Sequence, residues 1–345
     1  MAYHFKNLVF EGGGVKGVAY VGAMEVLEKK QILTEIKRVG GTSAGAINAV
    51  LFALGYTNKE TLAILKKLDF NNFLDDSWGV ARDTSRLINE FGWYKGDYFH
   101  EWISKRIAKK TGNPFTTFKD LVVAGRPELY IYGTNLSTRF GEIFSNEHTP
   151  TMRIADAVRI SMSIPLFFTA YRNVRQDIYV DGGVLNNYPV KLFDREKYLN
   201  EEVSELNTKP SEYYADENAR FLQTHPKSSP YCYNKETLGF RLDSKQEIAI
   251  FRDGSEPPQV KIDGFFDYAK ALITTVIESQ GNQHLHSDDW HRTIYIDTQG
   301  VGATDFSIAD AKKMALKKSG AACAESYFKW FDDETNEAHN RPKLG

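Results

Sequence analysis

Through residues 5–55 the spacing of apolar positions switches between two periods. "FKNLVF" (5–10) is a short, mostly apolar run of strand length. Glycines follow, and "GVAYVGAMEVLEKK" (17–30) then sets Val18, Val21, Ala23, Met24 and Leu27 at helical spacing. "EIKRVG" (35–40) reads as a second strand, and "SAGAINAVLFALG" (43–55) as a second helix of small and apolar residues that stops near Gly55. Strand, helix, strand, helix in that order predicts an α/β fold of three layers, with a mostly parallel central sheet covered by helices.

Beyond residue 58 the pattern turns helical and more charged. "YFHEWISKRIAKKTG" (98–112) carries Phe99, Trp102, Ile103 and Ile107 on one face and basic residues on the other, which fits a core helix with a solvated side or a helix lying on a membrane. "ELYIYGTNL" (128–136) and "RFGEIF" (139–144) read as paired strands, "RIADAVRISMSIPLFF" (153–168) as a helix ended by Pro165, and "DIYVDGG" (177–183) as a strand running into a glycine turn. From about residue 191 to 238 the chain is polar and without periodicity. α/β signals then resume in "TLGFRLD" (237–243), "FFDYAKALITTVIESQGNQHL" (265–285), "RTIYID" (292–297) and a last helix over 310–331. The organisation inferred is one domain with insertions: a core over 5–195, a polar insertion or lid over 196–238, and the C-terminal part of the same α/β domain over 239–335.

Composition narrows the partners. Of 345 residues, 42% are apolar and 13% aromatic, ample for a buried core, and 43 Lys and Arg nearly balance 45 Asp and Glu for a net charge of −2. Such a chain has no global attraction to nucleic acid or anionic lipid, so no nucleic-acid partner is expected and any lipid contact must be local. Cys232 and Cys323 lack neighbours at disulfide-framework or zinc-ligand spacing. The N-terminus lacks the basic and apolar regions of a signal peptide, and no apolar run approaches the ~20 residues that cross a bilayer. A cytoplasmic address is the default expectation, with export as an effector open through systems that read other signals.

Two motifs carry chemistry. "EGGGVKG" satisfies G-x-G-x-x-G through Gly12, Gly14 and Gly17, between a strand and a helix. A dinucleotide site would want an acidic residue at the end of the next strand, but that strand runs into Val39-Gly40 and a serine turn. What the loop offers is a run of unobstructed backbone N–H groups at the positive end of a helix, suited to an anionic oxygen, a tetrahedral oxyanion included. "GTSAG" (41–45) matches the G-x-S-x-G nucleophile elbow, with Gly41 and Gly45 relieving crowding around Ser43. The competing reading is a Thr-Ser helix N-cap.

A nucleophilic serine needs a base. None of the eight histidines, His4, His100, His148, His225, His284, His286, His291 and His339, stands at a strand end with glycine or proline punctuation. Asp181 does, in "YVDGG", ahead of Gly182 and Gly183. Aspartates there often only cap turns, but one aimed into the cleft of Ser43 could take its proton if desolvation raised its basicity.

The three elements "GGGVKG" (12–17), "GTSAG" (41–45) and "DGG" (181–183), in this order, resemble the patatin-like phospholipase family. "AVRISMSIPLFF" (157–168) and "DGGVLNNYPV" (181–190), with Asn186, Asn187 and Pro189, add to the likeness, which covers residues 5–195 well and the remainder loosely. The resemblance implies a patatin-like fold, a Ser-Asp dyad with Ser43 as nucleophile and Asp181 as general base, and an oxyanion hole from the amides of Gly12, Gly13 and Gly14. It also implies a phospholipase A-type lipid acyl hydrolase acting through a serine acyl-enzyme, with no metal or cofactor. A lipid substrate and transient membrane-surface contact go with it. The family often has Arg where Lys16 stands, and lysine does not reproduce a planar, bidentate contact. The enzymatic rival is a Ser-Asp-His hydrolase using Asp181 with His284, His286 or His291. Acyl transfer to another acceptor stays open, as does a non-catalytic lipid- or nucleotide-binding protein.

Overall fold

The first strand, β1 (Asn7–Phe10), is buried at every position, as a parallel strand covered on both faces must be. Side-chain alternation divides it between two cores. Leu8 and Phe10 enter the main hydrophobic cluster, whereas Val9 packs on the opposite face with Tyr130, Phe193 and Tyr198. The computed structural model describes residues 3–68, 87, 89–199, 214–243, 259, 261–279, 288–303, 305 and 307–341.

A 3-10 turn (Gly14–Val18) leads from β1 into α1 (Ala19–Lys29), followed by β2 (Arg38–Thr42), α2 (Ala44–Ala53) and α3 (Asn58–Lys67). α2 stops as its sequence implies, with Gly55 left-handed at φ +76 and the Tyr56 amide reaching back to the Leu51 carbonyl. Next come β3 (Gly92–Tyr94), α4 (Asp97–Thr111), α5 (Phe118–Val123), β4 (Glu128–Asn135), β5 (Phe140–Ser145) and α6 (Ile154–Ser161). Phe99, Trp102, Ile103 and Ile107 of α4 are all buried in the main core, which decides for a core helix over a membrane-surface one. β6 (Leu166–Phe168), β7 (Tyr171–Arg172), β8 (Ile178–Asp181) and the single-turn α7 (Gly183–Asn186) follow. The C-terminal part supplies α8 (Ala215–Thr224), β9 (Thr237–Asp243), α9 (Phe265–Ser279), β10 (Thr293–Asp297) and α10 (Asp310–Asp332).

The main sheet runs β10-β9-β1-β2-β4-β8-β7, with β5 also paired to β4. β10, β9, β1, β2 and β4 are parallel, β5 and β8 pair antiparallel with β4, and β7 pairs antiparallel with β8. The fold is therefore the α/β class expected, with a mostly parallel sheet flanked by helices. α10 lies along α1 on one side, and the opposite face is covered by Tyr130, Phe193 and Tyr198.

One expectation needs revision. The helix read as ended by Pro165 stops a turn earlier, at Ser161, and Leu166–Phe168 forms a strand parallel to β3. Proline drives the preceding residue toward extended backbone, and Leu166 itself takes φ +65. The polar stretch after residue 191 contributes buried residues at both its ends. Phe193 and Asp194 are buried, and Asn234, Lys235 and Glu236 are buried before β9 begins. Residues 200–213 of that stretch lie outside the described residues.

Candidate active site

β2 and β8 share one edge of β4 end to end. β2 occupies the first part, with Thr42 opposite Tyr132. β8 arrives from the other direction and takes the rest, with Asp181 opposite Gly133. Consecutive residues of β4 thus face the last residue of β2 and the last residue of β8. Ser43, immediately after Thr42, meets Asp181 at this junction.

Ser43 is held in a conformation that L residues avoid, φ +52 and ψ −125, at the head of α2. Its side chain makes no capping bond to that helix, so the N-cap reading fails. Instead its amide donates to Ser161 Oγ (2.9 Å), and the Ser161 hydroxyl donates to the Tyr132 carbonyl (2.6 Å). The Ser43 hydroxyl donates to Met162 Sδ at 3.5 Å, a weak acceptor. Gly45 is required because a Cβ would lie 2.3 Å from the Phe10 carbonyl oxygen, and Gly41 packs against the Gly45 backbone.

Asp181 is 1% exposed. Its amide donates to the Ser163 carbonyl (2.8 Å), and its Oδ1 accepts the Gly183 amide (2.7 Å). Gly182 approaches the Tyr132 carbonyl. Oδ2 has no hydrogen-bond partner among the described residues. Burial pushes the carboxyl up to about 7, against the Gly183 amide and the neighbouring Ser43 hydroxyl, which favour the charged form. A carboxylate with an unused buried oxygen, poised near neutrality beside a serine, is a proton acceptor in waiting.

The glycine loop lies against both. A Cβ on Gly12 would come within 3.1 Å of Ser43 Cβ and 2.3 Å of Asn187 Oδ1. The Gly12 amide is already bonded to the Asn187 carbonyl (3.0 Å), so it is not available to an oxyanion as expected. The amides of Gly13 and Gly14 have no partner among the described residues. Gly14 is indispensable on backbone grounds, with φ +54 and the Ala303 carbonyl 1.9 Å from where a Cβ would stand. Lys16 ties the loop to β9 through the Leu242 carbonyl (3.3 Å), and the Gly17 carbonyl accepts from Asn48 (3.4 Å).

Sequence reasoning assigned no role to several residues that build this arrangement. Asn187 donates to Glu11 Oε1 (3.3 Å) and to the Gly12 carbonyl (3.2 Å), linking the turn after Asp181 to the glycine loop. Glu11 accepts the Leu242 amide (2.6 Å) and lies 3.8 Å from Arg241 Nε. Burial pushes the Glu11 carboxyl upward while Arg241 opposes it. Ser161 and Ser163 bracket Met162 in "ISMSIP", and one serves Ser43 while the other serves Asp181. The available signal was the pair of serines flanking Met162 where the helix gives way to Pro165. A shallow crevice lined by Gly14, Gly17, Val18, Ala44, Ile47 and Asn48 opens between the loop and α2.

His291 belongs elsewhere. It precedes β10, at the end of the parallel strands opposite the one that carries Ser43. There Asp288, His291 and His339 bring ligand-type atoms within 4.8 Å of one another. The two imidazoles stack at 4.0 Å with 18° between planes, which keeps their in-plane lone pairs from converging on one ion. His284 and His286 lie outside the described residues. His100 is bonded to Asp156 and His148 to Ser145. No described helix is long and apolar enough to cross a membrane.

Comparison with known proteins supplies the family. The patatin-like phospholipase family model matches residues 8–194, more than half of the chain. The chain is 28% identical to the uncharacterised protein YqhO of Bacillus subtilis, over 93% of its own length and 97% of that protein. It is 29% identical to a probable lipid hydrolase, 463L, of Invertebrate iridescent virus 6, over 55% of the chain and 63% of the relative. The lysophospholipase NTE1 of Candida glabrata matches 53% of the chain at 28% identity, within 9% of its own length. Among solved structures, VipD from Legionella pneumophila shares the fold, with a TM-score of 0.56 at 18% identity over 95% of this chain and 67% of that one.

Proposed function

Because the chain belongs to the patatin-like phospholipase family, we propose that it is a lipid acyl hydrolase working through a Ser43-Asp181 dyad on phospholipids or related glycerolipids. The observation that carries the reading is the junction on β4, where a strained serine with no capping bond meets a buried carboxylate with an unused oxygen. Asp181 Oδ2 takes the Ser43 proton as Oγ attacks the ester carbonyl, and the amides of Gly13 and Gly14 stabilise the tetrahedral oxyanion. Collapse expels the lysolipid alcohol with the proton from Asp181. Asp181 then deprotonates a water that attacks the acyl-Ser43 ester, releasing the fatty acid and restoring the hydroxyl. The crevice beside Gly14 and Ala44 offers an apolar wall for the substrate.

Lipid product analysis on mixed phospholipids and neutral glycerolipids tests this. Wild type releases free fatty acid and a lysolipid, and Ser43→Ala does not, while a fluorophosphonate probe labels wild type alone. Equal product from Ser43→Ala would remove the serine from the mechanism. Label without hydrolysis, but with acyl chains moved to an added alcohol, would point to acyl transfer.

A further inference from the structure

The catalytic end of the sheet carries an exposed rim that the reaction does not use. β4 continues past Gly133, and its turn into β5 exposes Leu136 (47%) and Phe140 (72%) with Arg139 between them. The turn between β7 and β8 exposes Val174 (99%) and Arg175. The two tips are joined: the Leu136 amide donates to the Ile178 carbonyl, and the Ile178 amide to Ser137 Oγ. Arg172 stacks at 5.2 Å on Phe91, another exposed aromatic (42%). Leu136 is three residues beyond Gly133, about 10 Å along the strand from the level of Asp181.

The rim is also cationic. Arg139, Arg172 and Arg175 form no ion pair among the described residues, in a chain of net charge −2. The nearby acids are engaged at the base of the hairpins, where Glu142 accepts from Asn135 and Tyr179 and Asp177 accepts from Asn173. Apolar side chains interleaved with unpaired arginines complement a surface that is oily with anionic headgroups.

We propose that these hairpin tips dock the protein on anionic lipid bilayers, presenting the Ser43 end of the sheet to the membrane. The inference rests on the lipid-hydrolase reading for its purpose but not for its measurement. Binding is read by co-sedimentation of the Ser43→Ala protein with vesicles of phosphatidylcholine alone or mixed with phosphatidylglycerol. The mixed vesicles should bind it more tightly, and added salt should weaken that binding. With each arginine contributing about fivefold, Arg139→Gln with Arg175→Gln should weaken it about 25-fold. Phe140→Ser with Val174→Ser should weaken binding to both compositions. In the Ser43 background, hydrolysis of a soluble short-chain ester should be unchanged by either pair, and near-UV circular dichroism reports folding independently. Equal binding to both compositions, or undiminished binding of the arginine pair, overturns the proposal. So does a self-association that both pairs abolish while vesicle binding is absent. Vesicle binding by a protein that releases no fatty acid would leave docking standing and the hydrolase reading lost.

Discussion

Asp181 and Asp194 are equally buried, at 1% exposure, yet the chain treats them in opposite ways. Asp194 receives Arg292 on both oxygens (2.6 and 2.7 Å), the Tyr214 hydroxyl (2.6 Å) and the Asn234 amide (3.3 Å). Arg292, itself fully buried, also binds Asp289 at 3.0 and 2.6 Å and lies 4.3 Å over the Tyr233 ring. Every atom of that cluster is compensated, which makes it a fastener between β10 and the segment after α7. Asp181 keeps one oxygen idle beside a serine. A buried charge fully matched by its neighbours is structural, and one left short of partners is held ready for a proton.

The sharpest test of that contrast is Asp181→Asn, which keeps shape and removes basicity. Steady-state kinetics on a lipid ester should show kcat lower by roughly 10²- to 10⁴-fold with the fold intact. Near-full activity would return a histidine to the role. Arg292→Met should do the reverse. It strands Asp194 and Asp289 without a counter-charge and should cost about 3–5 kcal/mol in urea unfolding, with kcat per folded molecule unchanged.

Asp181 also separates from Asp194 by its pH dependence. The folded protein keeps the Asp181 proton up to about pH 7, whereas the unfolded chain releases it near 3.8. Between those values the folded state binds more protons, so this residue makes stability fall as pH rises. Asp181→Asn should therefore be more stable than wild type at pH 8, by roughly 4–5 kcal/mol at about 1.4 kcal/mol per pH unit, with no difference at pH 3. Paired urea titrations check it. The kcat/KM of wild type should climb through pH 7 and level off above about pH 8, as the base loses its proton. A flat profile would break the link between burial and catalysis.

Much of this was legible in the sequence for physical reasons. Buried parallel strands read as apolar runs, and the elbow needs glycines where backbone meets backbone, so "GTSAG" announced a turn whose Gly45 touches Phe10. "YVDGG" showed a carboxylate at a strand end. The register on β4 that joins the two motifs was not readable, because it depends on β8 entering antiparallel where β2 stops. The fate of the Gly12 amide was hidden for the same reason, since its acceptor, Asn187, is brought in from 175 residues away. The Asp194-Arg292 cluster left no local signal, its partners being 98 residues apart.

The smallest effect tests how Ser43 is supported. Ser161 stands between the strained serine and β4, accepting the Ser43 amide at 2.9 Å and donating to the Tyr132 carbonyl at 2.6 Å. Ser161→Ala removes both bonds, leaving a buried N–H and a buried C=O without that partner. Each bond is worth about 1 kcal/mol net, and the elbow is held against an unfavourable φ. The loss should fall on the approach of Oγ to the ester rather than on lipid binding. The expected result is a kcat about tenfold lower with KM little changed, and Ser161→Thr, which retains the hydroxyl, should recover part of it. A rise in KM with kcat unchanged would mean that Ser161 shapes the substrate cleft and that the strained turn stands without it.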